Sequence, residues 1–308
     1  MSKINIVSFS AMSRPGTTQE EVLVYLENKL KELIPLKTDL VVFPEEVLIS
    51  GEDTKNPNWE KNNAAALELT QRYAALLHTN ICIGLEEPSK VYPGRRYNTS
   101  YAIDRSGSVI GKYRKRHITF RGLGIGCTPG SRAVTVDTDI GRIGIAICFD
   151  IGWRDHFREL KEAGAELIVW QAAYHGGQLM NAYAAVYSVP VVTSVWNNDS
   201  RIISAFGNTV ASSSMWDPCV RAEIDPKAEI FHFDHNERRL SELRAEYGDR
   251  ISFETEPNGN MFSVSVIDPT LTVEEIKSRY GMETYDEYHL KSTRDNEAVL
   301  EEYPELDV

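Results

Sequence analysis

Cysteine is scarce: four residues in 308, at positions 82, 127, 148 and 219, with no C-x-x-C pair among them. That pattern offers neither a disulfide framework nor a zinc site, and it suits a reducing compartment, so a cytoplasmic protein is expected. Long apolar runs are missing as well. No stretch of about 18 apolar residues exists, so no membrane span is expected. The opening segment, MSKINIVSFS, has no charged n-region, no long apolar core and no cleavage site. It reads as a first strand and not as a signal peptide. Basic charge is in deficit: 33 Lys and Arg against 45 Asp and Glu leave a formal net charge of -12. A phosphate-backbone partner would want a basic face, so nucleic acid is not an expected ligand. The one basic run, KYRKRH (112–117), is short and points to local chemistry. Internal repeats, low-complexity tracts and linkers are also lacking.

What is present is a core's worth of apolar residues, 42% of the chain, in a length that large layered α/β domains reach undivided. Strand-like and helix-like segments alternate. Residues 3–9 read as a strand and 18–34 as an amphipathic helix. DLVVFP (39–44) is a continuous apolar run, the pattern of a strand covered on both faces. A helix over 59–77 leads to the strand NICIGLE (80–86). YNTSYAID (97–104) and SVIGKYRK (108–115) flank an Arg-Ser-Gly turn and predict a hairpin. A Gly-rich loop over 116–131 is followed by strands near 132–137 and 142–147. The helix 154–164, stopped by Gly164, leads to the strand 165–170; the helix 177–187 precedes the strand 189–195. FGNTVASS (206–213) and VRAEID (220–225) suggest a second hairpin-like pair, followed by a charged helix at 234–248 and a last strand, NMFSVSVID. Hairpins mixed with crossover helices argue against one wholly parallel sheet. Two packed β-sheets flanked by helices, a four-layer α-β-β-α sandwich, fit better. Residues 1–269 are expected to form one domain. Residues 270–308, acidic and Pro-punctuated, are expected to pack on the surface or on a partner subunit.

Three residues could carry chemistry. Cys148 ends the apolar run GRIGIAI, where it is either a core thiol or a nucleophile shown at a strand end. There, backbone N–H groups such as that of Phe149 are available to an oxyanion. Glu45 follows the apolar strand and Pro44; it is either a solvated turn residue or a partly desolvated general acid–base. Glu46 is the weaker of the two carboxylates, because Glu45 emerges first. Lys115 ends SVIGKYRK, and is either a surface lysine or a cation able to stabilise a thiolate and an oxyanion.

Taken together, DLVVFPE (39–45), GKYRKRH (111–117) and GIAICFD (144–150) resemble, in order and spacing, the motifs of the nitrilase superfamily of carbon–nitrogen hydrolases. The resemblance runs through YNTSYAIDRSGSVIGKYRK and covers residues 3 to 267. It implies Cys148 as nucleophile, Glu45 as general base and Lys115 as oxyanion stabiliser. It further implies hydrolysis of a linear amide, or of an N-carbamoyl compound or nitrile, without metal or cofactor, in a homodimer or larger homo-oligomer. One departure stands out. The family places a second glutamate before a Pro-Gly between the lysine and the cysteine, whereas RHITFRGLGIGCTPG (116–130) has no Asp or Glu. Altered substrate geometry, a carboxylate from elsewhere in the chain, and a binding protein without turnover are the readings this opens.

Other residues are weaker candidates. Trp153, Tyr174 and His175 follow strands on the rim expected for Cys148 and either line a substrate pocket or simply pack. Arg121 offers itself to an acidic substrate group. Cys127 lies in the Gly-rich loop, and Cys82 reads as strand core. HFDH (232–235) has two imidazoles and a carboxylate but no third ligand or helical spacing, so no metal site is expected there.

Overall fold

The structure, a computed structural model, describes residues 3–10, 17–49, 56–256 and 259–304. The chain forms two compact units, Lys3–Pro226 and Lys227–Val308.

In the larger unit β1 (Ile4–Phe9) leads into α1 (Gln19–Glu32), which opens with a capping box between Thr18 and Glu21. Helical spacing turns Val22, Leu26 and Leu30 to one buried face. Next come β2 (Leu40–Val42), α2 (Trp59–Leu77) and β3 (Asn80–Pro88). The three strands are parallel neighbours, Ile6 opposite Leu40 and Leu40 opposite Asn80. β4 (Arg96–Ile103) and β5 (Val109–Arg114) extend the sheet as an antiparallel hairpin. The loop after β5, read from sequence as irregular, contains a short helix, α3 (Phe120–Gly124), capped by Thr119.

The second sheet repeats this plan. β6 (Val134–Thr138) and β7 (Gly141–Ile147) are antiparallel, and α4 (Arg154–Glu162) leads to β8 (Leu167–Ala172). After α5 (Leu179–Tyr187) comes β9 (Val191–Val195), and β7, β8 and β9 are parallel. β10 (Arg201–Ile203) and β11 (Thr209–Ser212) close the sheet as a hairpin. The chain then returns as β12 (Cys219–Ile224), antiparallel to β1 at the edge of the first sheet. The two orders are β12-β1-β2-β3-β4-β5 and β11-β10-β9-β8-β7-β6.

Packing gives the expected α-β-β-α sandwich. Val22, Leu26 and Leu30 of α1 pack with Val41, Ile81 and Ile83 on one face of the first sheet. The opposite-facing Ile6, Leu40, Val42 and Cys82 join Ile143, Ile145 and Ile168 of the second sheet. Phe157 and Leu160 of α4, with Met180 and Ala184 of α5, complete that core. Burying apolar surface on both faces is why β2 reads as an unbroken apolar run, and β8 and β9 are likewise buried at every position.

One expectation is corrected. Segments 206–213 and 220–225 do not pair: β11 bonds to β10, while β12 crosses to the other sheet, with Ile224 opposite Ile4. The true partner of β11 is only three residues long and gives no strand signal of its own. The larger compact unit ends at Pro226 and the smaller follows from Lys227. In the smaller unit β13 (Glu229–His232), α6 (Arg239–Tyr247), β14 (Ile251–Glu256) and β15 (Met261–Val266) precede α7 (Val273–Tyr280). Their strands form a separate sheet, β13-β15-β14. Phe231, Leu243, Phe262, Val264 and Ile276 form its own core, so α7 belongs to that core. The last helix, α8 (Tyr285–Glu302), buries no side chain. Among the described residues no helix is long and apolar enough to cross a membrane.

Candidate active site

The candidate residues of the larger unit lie just past strand ends. β2 runs out through Phe43 and Pro44 into Glu45, and the turn is pressed against β3 at Gly84. A Cβ on Gly84 would stand 2.5 Å from the Pro44 oxygen and 2.7 Å from Glu45 Cα, so only glycine allows this approach. Gly84 N–H donates to Pro44 O (3.2 Å), and Val47 N–H donates to Gly84 O (2.9 Å). Trp196 Nε1 donates to the Glu45 carbonyl.

Lys115 follows β5, its N–H donating to Asn98 O (2.8 Å) and its carbonyl accepting from Gly130 N (2.8 Å). Its ammonium donates to Glu45 Oε1 at 2.6 Å, and Asn98 Nδ2 donates to the same oxygen at 2.7 Å. All three side chains are buried. Glu45 Oε2 and Asn98 Oδ1 are buried without a partner among the described residues. Burial presses the Lys115 pKa down, but the charges of Glu45 and Cys148 outweigh it and hold the ammonium protonated.

Cys148 stands at the end of β7 with φ 44°, the left-handed region that costs a non-glycine residue about 1 kcal/mol. It opens one 3-10 turn, Cys148–Gly152. Trp170 Nε1 donates to the Cys148 carbonyl (3.2 Å) and Ile147 N–H to Asp150 Oδ2 (2.9 Å), fixing the turn. The thiol is 8% exposed. Burial first, then the Glu45 charge, pushes its pKa up to about 12 against the pull of Lys115. The resting cysteine is therefore a thiol that needs a base.

Asp150 ties the two sheets at this point. Its Oδ2 also accepts from Tyr113 OH of β5 at 2.7 Å, and Oδ1 accepts from His117 N–H at 3.1 Å and lies 2.7 Å from His117 Nδ1. Burial acts upward on its pKa, but the His117 hydrogen bond, the His156 charge and the Tyr113 hydrogen bond hold the carboxyl below its ordinary value. Among the described residues, His117, Asp150 and His156 are the group whose metal-ligating atoms lie within 4.8 Å of one another. Both Asp150 oxygens are already occupied by hydrogen bonds, and His156 Nε2 meets Ile145 O at 3.2 Å, so the trio works as a brace. His232 and His235, singled out in the sequence, lie in the smaller unit. There His232 Nδ1 accepts from Asp234 N–H (2.9 Å) and its ring stacks on Tyr288 at 4.3 Å.

The rim residues separate into two sets. Trp153 stacks on His117 at 4.0 Å and meets Phe149 edge-on at 5.0 Å, and both aromatic side chains are partly exposed. Tyr174 meets Trp170 edge-on at 5.7 Å. Burial, then the Cys148 charge, raises its phenol pKa. His175 instead serves its own turn: Nδ1 accepts from Gly177 N–H (3.0 Å) and its carbonyl accepts from Arg201 Nη2 (2.6 Å). Arg121 is exposed on α3. Cys82 and Cys127 are buried, with burial pushing their thiols up to about 12 and about 11. Sequence reasoning left Asn98, Tyr113, Asp150, Trp170 and Trp196 without roles. Asn98, Tyr113 and Asp150 stood inside the quoted stretches YNTSYAID, GKYRKRH and GIAICFD, the signal that could have found them.

A family model described as carbon–nitrogen hydrolase matches residues 11–229. An "Omega-amidase, chloroplastic" of Arabidopsis thaliana is 29% identical over 170 residues, 46% of this chain and 45% of its own length. A "Citrullinase" of Francisella tularensis subsp. tularensis is 28% identical over 151 residues, 41% of this chain and 52% of its own. The chain thus spans about half the length of these curated relatives. A solved carbon–nitrogen hydrolase from Helicobacter pylori G27 shares the fold over 80% of this chain and 96% of its own, with TM-score 0.67 and 18% identity.

Proposed function

Because the chain belongs to the carbon–nitrogen hydrolase family, we propose that it hydrolyses a linear amide or related non-peptide C–N bond through a thioester on Cys148. The observation that carries this reading is the 2.6 Å contact of Lys115 Nζ with Glu45 Oε1, which leaves Oε2 buried and unpartnered while both groups bear on the thiol. Glu45 takes the thiol proton, and the sulfur attacks the carbonyl carbon. Lys115 and the Phe149 N–H hold the resulting oxyanion. The C–N bond then breaks, and Glu45 returns its proton to the departing ammonia or amine. Water, losing a proton to Glu45, attacks the thioester; the acid leaves and the thiol is restored. No metal or cofactor takes part in these steps. Phe149, Trp153 and Tyr174 line the mouth in this reading.

The test is ammonia release across a panel of linear amides, N-carbamoyl compounds and nitriles, with mass spectrometry of Cys148. An acyl adduct on Cys148, absent from Cys148→Ala, supports the mechanism; full activity in Cys148→Ala overturns it. The acid-free loop 116–130 favours one other reading, a ligand-binding protein without turnover. Tight ligand binding with no ammonia from any substrate would select it.

This reading includes a homodimer or larger assembly in the cytoplasm, where four free cysteines persist. The helix α8, with no buried side chain of its own, is the segment offered to a second copy. A monomer mass by light scattering at micromolar concentration would refute the assembly.

A further inference from the structure

The larger unit gathers positive charge at a second place. β5 and β6 are the last strands of their sheets, and a cavity of about 350 Å³ lies between the end of β5 and the start of β6. Tyr97 of β4, Lys112 and Arg114 of β5, and Ser131 and Arg132 of the loop before β6 line it. Small-molecule sites have volumes of this order. The loop is pressed onto the strand. Gly130 N–H donates to Lys115 O at 2.8 Å, and a Cβ on Gly130 would stand 2.1 Å from Arg114 O.

Strand register separates this cavity from the candidate active site. Thr99 stands opposite Arg114 and Tyr101 opposite Lys112, so alternation turns Tyr97, Thr99, Lys112 and Arg114 to one face of the sheet. Asn98, between Tyr97 and Thr99, turns to the other face, where it donates to Glu45.

One buried carboxylate answers the two strand cations. Glu87 Oε1 accepts from Lys112 Nζ at 2.6 Å and from Arg114 Nη2 at 2.8 Å. Its Oε2 accepts from Arg114 Nε at 2.9 Å and from Thr99 Oγ1 at 3.2 Å. Burial acts upward on the Glu87 pKa, but the hydrogen bonds from Arg114 and Lys112 bring it down to about 2, so it is ionised at neutral pH. The Arg114 guanidinium also lies 3.9 Å from the centre of the Tyr97 ring, which with Glu87 fixes its plane. Arg114 Nη1 and the exposed Arg132 have no hydrogen bond or ion pair among the described residues. No Asp or Glu among the described residues lines the cavity. Three cations against one carboxylate leave two positive charges uncompensated, in a chain whose net charge is -12.

We propose that this cavity binds a phosphate group. A phosphomonoester carries close to two negative charges at neutral pH, which matches the excess. Its three terminal oxygens accept from Lys112, Arg114 Nη1, Arg132 and the Ser131 hydroxyl in charge-assisted hydrogen bonds. A single carboxylate has two oxygens and one charge, and leaves one cation unanswered. Phosphate alone fills only part of the volume, so a small organic phosphate fits better than the free ion. This is a binding site on the far face of the sheet from Glu45, and it stands whether or not the chain hydrolyses amides.

Isothermal titration calorimetry of the full chain tests it, with inorganic phosphate and glycerol 3-phosphate as probes and ionic strength held constant by sodium chloride. The ester is expected to bind at one site with Kd below about 1 mM, and phosphate more weakly. Arg132→Ala removes no contact between described residues and should weaken the ester about tenfold, as should Lys112→Gln, with circular dichroism unchanged. Equal affinity for the two probes, lost in R132A, supports the same contact with free phosphate as its source. Wild type that gives no saturable binding of either probe up to about 10 mM overturns the proposal, whatever the variants do. Binding untouched by both R132A and K112Q places the phosphate elsewhere and overturns it too. Succinate bound as tightly as the ester overturns the assignment to phosphate.

Discussion

Lys115 and Asn98 both donate to one oxygen of Glu45, at 2.6 and 2.7 Å, and the other oxygen is buried with no partner among the described residues. The carboxylate is oriented by its occupied oxygen, which leaves Oε2 as the atom that the proposed reaction would use. Glu45→Gln removes the acceptor or places an amide hydrogen against Lys115. It is expected to lower kcat/KM by about a thousandfold with the fold intact by circular dichroism. Activity within tenfold of wild type would remove Glu45 from the chemistry.

Asn98→Ala tests the second of those donors. Oε1 keeps Lys115 but loses a hydrogen bond to a charged group, worth about 2 kcal/mol. Activity should fall about thirtyfold, chiefly in kcat, while the melting temperature moves little. A large loss of stability with unchanged kcat would make Asn98 a core residue only.

Asp150→Asn is expected to cost stability, because a buried carboxylate with four contacts is replaced by an amide that offers some of its partners a donor. A loss of about 3 kcal/mol at neutral pH is predicted. The sign with pH follows from the lowered folded-state pKa. The wild-type advantage is complete above the unfolded value of about 3.9 and is lost as pH falls through the lower folded one. Urea unfolding at pH 7 and at pH 3 checks this: a stability gap that does not narrow in acid would contradict it.

Gly84→Ala probes the turn that presents Glu45. The new methyl would meet Pro44 O at 2.5 Å and Glu46 N at 2.7 Å, both backbone atoms that yield only if the turn moves. Destabilisation of about 2 kcal/mol is expected, with a loss of activity greater than that of stability-matched core variants. Equal losses would show that the turn absorbs the methyl without moving Glu45.

The sequence made some of this legible because the physics is local. β2 is apolar throughout, since both faces are covered, and the β4–β5 hairpin announces itself by its Ser-Gly turn. β10 has three residues, and β13 and β14 mix exposed with buried positions, so their pairing partners rather than their own patterns define them. Pairing β11 with β12 failed for the same reason: which sheet a strand joins is settled by residues far away. At the site, Glu45, Lys115 and Cys148 stood in motifs. The roles of Asn98 and Asp150 arise only from contacts across 53 and 37 residues of chain, which no local pattern carries.

The Asp150 brace has a mechanical consequence. Glu45 and Lys115 ride on one sheet and Cys148 on the other, so the separation of the Glu45 carboxylate from the Cys148 sulfur measures how far one sheet has slid over its neighbour. Asp150, gripping Tyr113 and His117 from the opposite side, is the pin that stops that shear. Heat or mild denaturant that loosens the sheet–sheet seam would therefore part Glu45 from Cys148, and silence the proposed reaction, while both sheets are still formed.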